Sequence, residues 1–211
     1  MKIGAIKAEV ISLMYPDEVL LIDETDEQSL NTSLYELGCN PNLQGILEGC
    51  VGSINRCLAY VESRGVGEIN CFHLQGKSCV RDAVGNAVIE LPKDVSSIES
   101  VILRKGREVI YPSYQRVEGK LLVDFHSGIY TVTYKPKLQK ISRITDNSHD
   151  IYLPCGLDLQ IPYYVVADLT SQERPELSKW ARDIFEDALA FAEKASAPPC
   201  QACVLSVYEV S

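Results

Sequence analysis

The chain has 211 residues, 46% of them hydrophobic and 23% charged, a balance that excludes disorder, collagen and coiled-coil arrays and fits a folded globular protein. One or two domains are expected at this length, with enough buried apolar surface for a core without disulfide staples. With 20 Lys plus Arg against 29 Asp plus Glu, the net charge of -9 opposes binding to nucleic acid through clustered cations, so a sequence-reading DNA binder is not expected.

The residues from Met1 to Lys7 lack the long apolar stretch of a secretory signal, and no apolar run reaches the roughly 18 residues of a membrane span. An intracellular protein with reduced thiols is therefore expected, its eight cysteines notwithstanding. Residues 2 to 14 place Ile3, Ile6, Val10, Leu13 and Met14 on one side at spacings of three and four, which predicts an amphipathic helix ending before Pro16. Asp17 to Asn42 mixes Asp23, Glu24, Asp26 and Glu27 with Ser, Thr and Asn and reads as a loop or short hairpin. The acidic run lacks the glycine and terminal glutamate of a calcium loop and reads as solvated.

From Leu43 to Ser63 the helical period is strong: Leu43, Ile46, Leu47, Cys50, Ile54, Cys57, Leu58 and Val61 recur on one side, and Gly65 and Gly67 follow as stop signals. Cys50 and Cys57, seven apart, read as small buried hydrophobes. Gly45, Gly49 and Gly52 interrupt the pattern, each at a cost of roughly 1 kcal/mol relative to Ala. Either another backbone approaches closely there or the helix breaks near Gly49.

Short β-rich runs follow: Cys71 to Leu74, Ala87 to Leu91, Ile98 to Arg104, Glu108 to Tyr111, Lys120 to Phe125 and Gly128 to Lys135, separated by glycine turns. Their spacing predicts an antiparallel sandwich or small barrel. The helical pattern returns at Pro162 to Leu169 and along Leu177, Trp180, Ala181, Ile184, Phe185, Ala188, Leu189 and Ala192, a helical hairpin closed by Pro198-Pro199. Cys203 to Tyr208 then reads as an edge strand or ordered tail. The expected fold is α+β, a helical bundle with an inserted antiparallel β-sandwich or barrel-like domain. Its parts are an N-terminal helical part (1–69), the insert (70–150), and a C-terminal hairpin and tail (151–211) that completes the helical domain.

No catalytic set is recognisable. His73, His126 and His149 lack a metalloprotease spacing, there is no Gly-x-Ser-x-Gly elbow, and the glycines of the second helix lack the Lys-Ser/Thr ending of a phosphate loop. Cys200 and Cys203 have the spacing for a tetrahedral ion, but a second pair is missing. Cys71 with His73 completes a set only if the fold brings the first strand to the tail, so free cysteines, no metal and no cofactor are expected. A second class of function is a β-domain that binds carbohydrate or protein, with Tyr111, Tyr114, Tyr130 and Tyr134 as aromatic contacts.

Lys2-Ile3-Gly4-Ala5-Ile6-Lys7, Gly52-Ser53-Ile54-Asn55-Arg56-Cys57 and Val61-Glu62-Ser63-Arg64-Gly65 together resemble bacteriophage head-tail connector proteins. Ile161 to Leu169 and Ala181 to Leu189 look like the last helices of adaptors that dock beneath the phage portal. The resemblance covers both helical ends and leaves the β-region uncovered. It implies a non-enzymatic virion protein of the head-tail interface, present in the host cytoplasm during assembly. Such a protein forms a homo-oligomeric ring, usually dodecameric, joining the portal protein to tail or stopper proteins and passing genomic DNA without sequence-specific binding. It also implies portal docking by the tail, through Val204, Leu205, Val207 and Tyr208, while Gly45, Gly49 and Gly52 serve close packing within or between subunits.

Overall fold

The computed structural model describes residues 1–16, 27–124, 126–142, 145 and 147–196. The chain divides into two compact units, Met1–Val66 with Gln139–Ser211, and Gly67–Leu138. Residues 139–150, read from sequence as part of the β-insert, thus lie with the helices.

In the first unit α1 (Ile3–Met14) buries Ile3, Ile6, Ala8, Val10, Ile11 and Met14, as its three-and-four spacing dictates. No side chain caps its start. Instead the amides of Ile3 and Gly4 donate to the carbonyls of His149 and Asn147 at 3.0 and 2.9 Å, satisfying two of the first-turn donors with a segment far along the chain. The expected loop before the second long helix is corrected in part. Its first ten residues lie outside the described structure, but α2 (Glu27–Gly38) is helical, with Leu34 packed on Ala8 and Leu47. After a turn, α3 (Pro41–Ser63) starts with proline in its first turn, where a missing amide costs nothing, and runs unbroken through Gly49.

The chain returns from the second unit through a short 3-10 segment (Pro154–Gln160) into α4 (Ile161–Leu169) and then α5 (Pro175–Ser196). Nine-residue α4 is almost wholly apolar on its inner side, with Ile161, Val165, Val166 and Ala167 fully buried. It touches α1, α3 and α5. The expected helical bundle does not form: the element at the centre is too short to lie alongside two helices of 23 and 22 residues, and the helices gather around it instead. The chain end of α1 is fastened by Arg174, whose guanidinium donates to the Met14 carbonyl at 2.8 Å and lies 4.9 Å from the Tyr15 ring centre.

The second unit holds β1 (Asn70–Gln75), β2 (Val80–Arg81), β3 (Ala87–Glu90), β4 (Val95–Lys105), β5 (Glu108–Ile110), β6 (Tyr114–Val117), β7 (Lys120–Val123) and β8 (Ile129–Pro136). They make two antiparallel sheets of four strands, β1-β8-β4-β5 and β2-β3-β7-β6. Alternate residues of β3, β4, β7 and β8 form the core: Ala87, Ile89, Val101, Leu103, Leu121, Val123, Tyr130 and Val132. The expected sandwich or barrel is corrected. Both sheets are open, and the strands of the second are two to four residues long, too short to lay a full second layer or to close a cylinder.

Two glycines are required by close approach. A Cβ on Gly128 would sit 2.6 Å from the Arg104 carbonyl oxygen and 2.7 Å from Leu103 Cδ1; one on Gly76 would sit 2.7 Å from the His126 carbonyl oxygen. Gly45, by contrast, has open space around its Cβ position. We expect Gly128→Ala to cost about 1–3 kcal/mol in urea denaturation, from overpacking against backbone, and Gly45→Ala to stabilise by roughly 0.5–1 kcal/mol through helix propensity. Equal effects of the two substitutions would contradict this assignment.

Candidate functional site

Along α3, Arg56, Tyr60 and Arg64 recur every fourth residue and so form one straight row. Each meets a carboxylate of a later helix. Arg56 Nε donates to Asp168 Oδ2 at 3.0 Å and a second guanidinium N–H reaches the same oxygen. Tyr60 donates its hydroxyl to Glu186 at 3.0 Å. Arg64 grips both oxygens of Glu193. Ser53, fully buried and one turn before Arg56, donates to Asp168 Oδ2 at 2.6 Å.

Behind the row lies an aromatic cluster. Tyr164 meets Phe185 edge-on at 5.1 Å and Tyr60 at 6.0 Å, and the Arg182 guanidinium stands 5.5 Å from the Tyr164 ring centre. Beside it, Asn55 Nδ2 donates to the Ile141 carbonyl at 2.8 Å while its Oδ1 accepts the Ile141 amide at 2.9 Å, pinning the returning chain to α3.

The electrostatics follow from this geometry. Burial opposes ionisation of Asp168, but the hydrogen bonds from Arg56 and Ser53 and the positive charges of Arg56 and Arg182 prevail, holding its carboxyl below the usual aspartate range. Burial, then the Glu186 carboxylate, raises Tyr60. Burial pushes the Cys50 thiol up to about 12 and raises Cys57 as well, so both are inert thiols in the core, as their spacing on α3 predicts. Chemically the row is a set of satisfied pairs. Asp168 already accepts three hydrogen bonds and is neutralised by arginine, which makes it a weak base toward Ser53.

The three predicted packing glycines do not share one environment. Gly49 is approached by Leu169 Cδ2, 3.1 Å from its Cβ position, whereas Gly45 and Gly52 are exposed and the nearest atom to Gly52 is the tip of Arg56. Among the described residues no backbone of another element closes on them. Gly49, Gly52, Asn55, Arg56 and Leu169 line an open cleft of about 480 Å³. Val204, Leu205, Val207 and Tyr208, like Cys200 and Cys203, lie outside the described residues. The aromatic quartet of the binding-module alternative does not assemble: Tyr111 and Tyr114 are exposed, while Tyr130 and Tyr134 point inward. Tyr130 accepts the His126 amide at 2.9 Å and donates to the Asp124 carbonyl, a strut for the turn before β8. Among the described residues no group of three or more His, Cys, Asp or Glu is placed to hold a metal ion.

Sequence reasoning missed the row itself. Its signal was present as two helical repeats of opposite character, Arg56, Tyr60 and Arg64 at fours on one helix and Glu186 and Glu193 seven apart on another. The segments 52–57, 61–65, 161–169 and 181–189, singled out in the sequence, each contribute residues to it.

No protein-family model and no curated protein matches the chain.

Replacing Asp168 by Asn should lower stability at neutral pH by about 1–2 kcal/mol, the partial exposure of Arg56 discounting its ion pair. Because the folded-state value is depressed, the wild-type advantage is present above the ordinary aspartate value of 3.8 and is lost as pH falls through the depressed one. Urea melts of both proteins at stepwise lower pH check this; a gap that persists undiminished in acid would refute it.

Proposed function

We propose that the chain is a structural subunit, a head-to-tail adaptor that assembles as a ring beneath a phage portal and extends the DNA channel toward the tail. A second apolar flank on α5 supports this most directly. The buried flank carries Ala181, Phe185, Leu189 and Ala192. Trp180, Ile184 and Phe191 recur at helical spacing on an adjoining flank, and Trp180 and Phe191 are 47% and 65% exposed. Among the described residues Trp180 is met edge-on by Tyr163 at 5.7 Å and is still half-exposed, and a helix with such a second apolar flank has a surface suited to a neighbouring subunit.

Further support comes from the polar groups of the α3 row, which bind one another. The net charge of -9 suits a channel wall that DNA must slide past without sticking. In this proposal Val204, Leu205, Val207 and Tyr208 make the contact with the portal, adding to a sheet edge or filling a groove.

Light scattering and electron microscopy of the chain mixed with portal protein test the proposal. A ring on the portal face is expected. Phe191→Asp should raise the concentration needed for assembly by about tenfold or more while leaving the melting temperature unchanged, and a chain ending at Ala197 should lose portal binding. Failure of the intact chain to form any complex with portal at high concentration would count decisively against it.

A further inference from the structure

Open sheets expose backbone hydrogen-bonding groups, and folded proteins guard such edges by shortness, bulges, charge or proline. Most edges of the second unit are guarded in these ways. β2 has two residues and β5 three. β4 is paired by β5 only at Leu103–Lys105, but its ladder with β8 carries two register irregularities, between Val95 and Ser97 and between Ile98 and Ser100, which break the regularity of the strand. Arg116, on edge strand β6, donates to the Ser96 and Val95 carbonyls at 2.7 and 3.0 Å.

β1 is different. It runs six residues, Asn70–Gln75, in unbroken register with β8, and contains no charged residue, proline or glycine. Among the described residues it has a strand partner on one side only.

The phase of this edge can be read from the ladder. Gly76 donates its amide to the Gly128 carbonyl at 2.7 Å, one step beyond the Gln75–Ile129 pair. Hydrogen-bonded pairs alternate along an antiparallel ladder, so the backbone groups of Phe72 and Leu74 face β8 and those of Cys71, His73 and Gln75 face outward. Cys71 and His73 also share a face, since side chains alternate and Phe72 and Leu74 pack on the core. Both are exposed, Cys71 is a free thiol, and His73 Nδ1 is held 2.9 Å from Thr131 Oγ1, which leaves Nε2 for a ligand.

From these placements we infer a zinc site shared by two copies of this chain: β1 pairs antiparallel with β1 of a second copy about a two-fold axis at Phe72, and Cys71 and His73 of each copy supply the four ligands. In this register Cys71 of each copy stands opposite His73 of the other. Both are outward-facing pairs, so four backbone hydrogen bonds form, whereas a register shifted by one residue would set outward groups against inward ones. The four side chains project from one face. Their spacing is about 5.5 Å across the strands, about 7 Å along them and about 7–8 Å on the diagonals, within reach of one ion held at about 2.3 Å from sulfur and 2.0–2.1 Å from nitrogen. The Thr131 hydroxyl on Nδ1 is the kind of outer partner that orients a ligating imidazole. On the opposite face the two Phe72 rings meet directly, extending the contact of Phe72 with Tyr134, 5.9 Å between ring centres. The site uses residues outside the α3 row and outside α5, so it stands or falls independently of the adaptor proposal.

The test uses the full chain, reduced and stripped of metal, measured by size-exclusion chromatography with light scattering and by metal analysis. Zinc chloride should double the mass with one zinc bound per two chains, and a chelator should return the monomer. Cobalt in place of zinc should give the visible spectrum of a tetrahedral site with two sulfur and two nitrogen ligands. Cys71→Ser and His73→Ala should each abolish zinc-dependent dimerisation with the circular dichroism and melting temperature unchanged, while Cys155→Ser should leave it intact. Zinc binding without a change in mass, or a dimer and zinc content that survive both substitutions, would overturn the inference; the second outcome would move the metal to other thiols, such as Cys200 and Cys203.

Discussion

A carboxylate in the last turn of a helix faces the negative end of that helix's dipole, and Asp168 occupies that position in α4 while also being partly withdrawn from water. It is tolerable only because α3 brings Ser53 and Arg56 to the same oxygen. The arrangement specifies more than it stabilises. An apolar α4 packed on apolar α3 has several nearly equivalent rotations and shifts; only one delivers Asp168 to a buried hydroxyl and a guanidinium together. Once that register is set, Tyr60 and Arg64 fall one and two turns further along, opposite Glu186 and Glu193 of α5, and Tyr164 is clasped between Tyr60 and Phe185.

The second constraint on the helical unit is its long sequence separation. The first amides of α1 are satisfied by the carbonyls of residues 147 and 149, its last carbonyl by Arg174, and α3 is fixed to Ile141 by Asn55. None of these partners exists until the whole second unit has been synthesised. A chain built this way cannot complete its N-terminal helices as an early local event, and its folding must wait for contacts that span more than half its length.

Where one period dominated, local structure was legible. The stripes of α1, α3 and α5, and the alternation in β8, follow from spacing alone because burial on one side is what selects those residues. α2 was missed because Leu34 lies among Ser, Thr and Asn, whose turn-forming chemistry masked a four-and-three leucine spacing. β6 was missed because all four of its residues are exposed, leaving no alternation to read. The overall arrangement was less legible than the elements. A helical period says how wide an apolar stripe is, not whether its neighbour is long enough to lie beside it, and nine-residue α4 turned an expected bundle into helices grouped about a short hub. The run of tyrosines misled for a related reason: in Ile129 to Tyr134 the period assigns Tyr130 and Tyr134 to one face, but sequence does not say which face looks inward.

The polar residues of this chain are of two kinds. Those on the α3 row are spent on one another: each arginine or hydroxyl ends on a carboxylate, and the carboxylate nearest the core accepts three hydrogen bonds at one oxygen. On the outer face of β1, Cys71 is a free thiol and His73 engages Thr131 through Nδ1 alone. Cys71 and His73 stand on a regular, uncharged edge whose outward amides coincide with the two residues able to bind a soft ion. Backbone phase and ligand position are independent features of a strand, since the first is set by the partner on the other side and the second by which residue types fall at odd or even positions. Their coincidence is what distinguishes this edge from β2, β5 and β6, and it gives the second unit a means of association that draws on none of the interlocked charges that hold the helices in register.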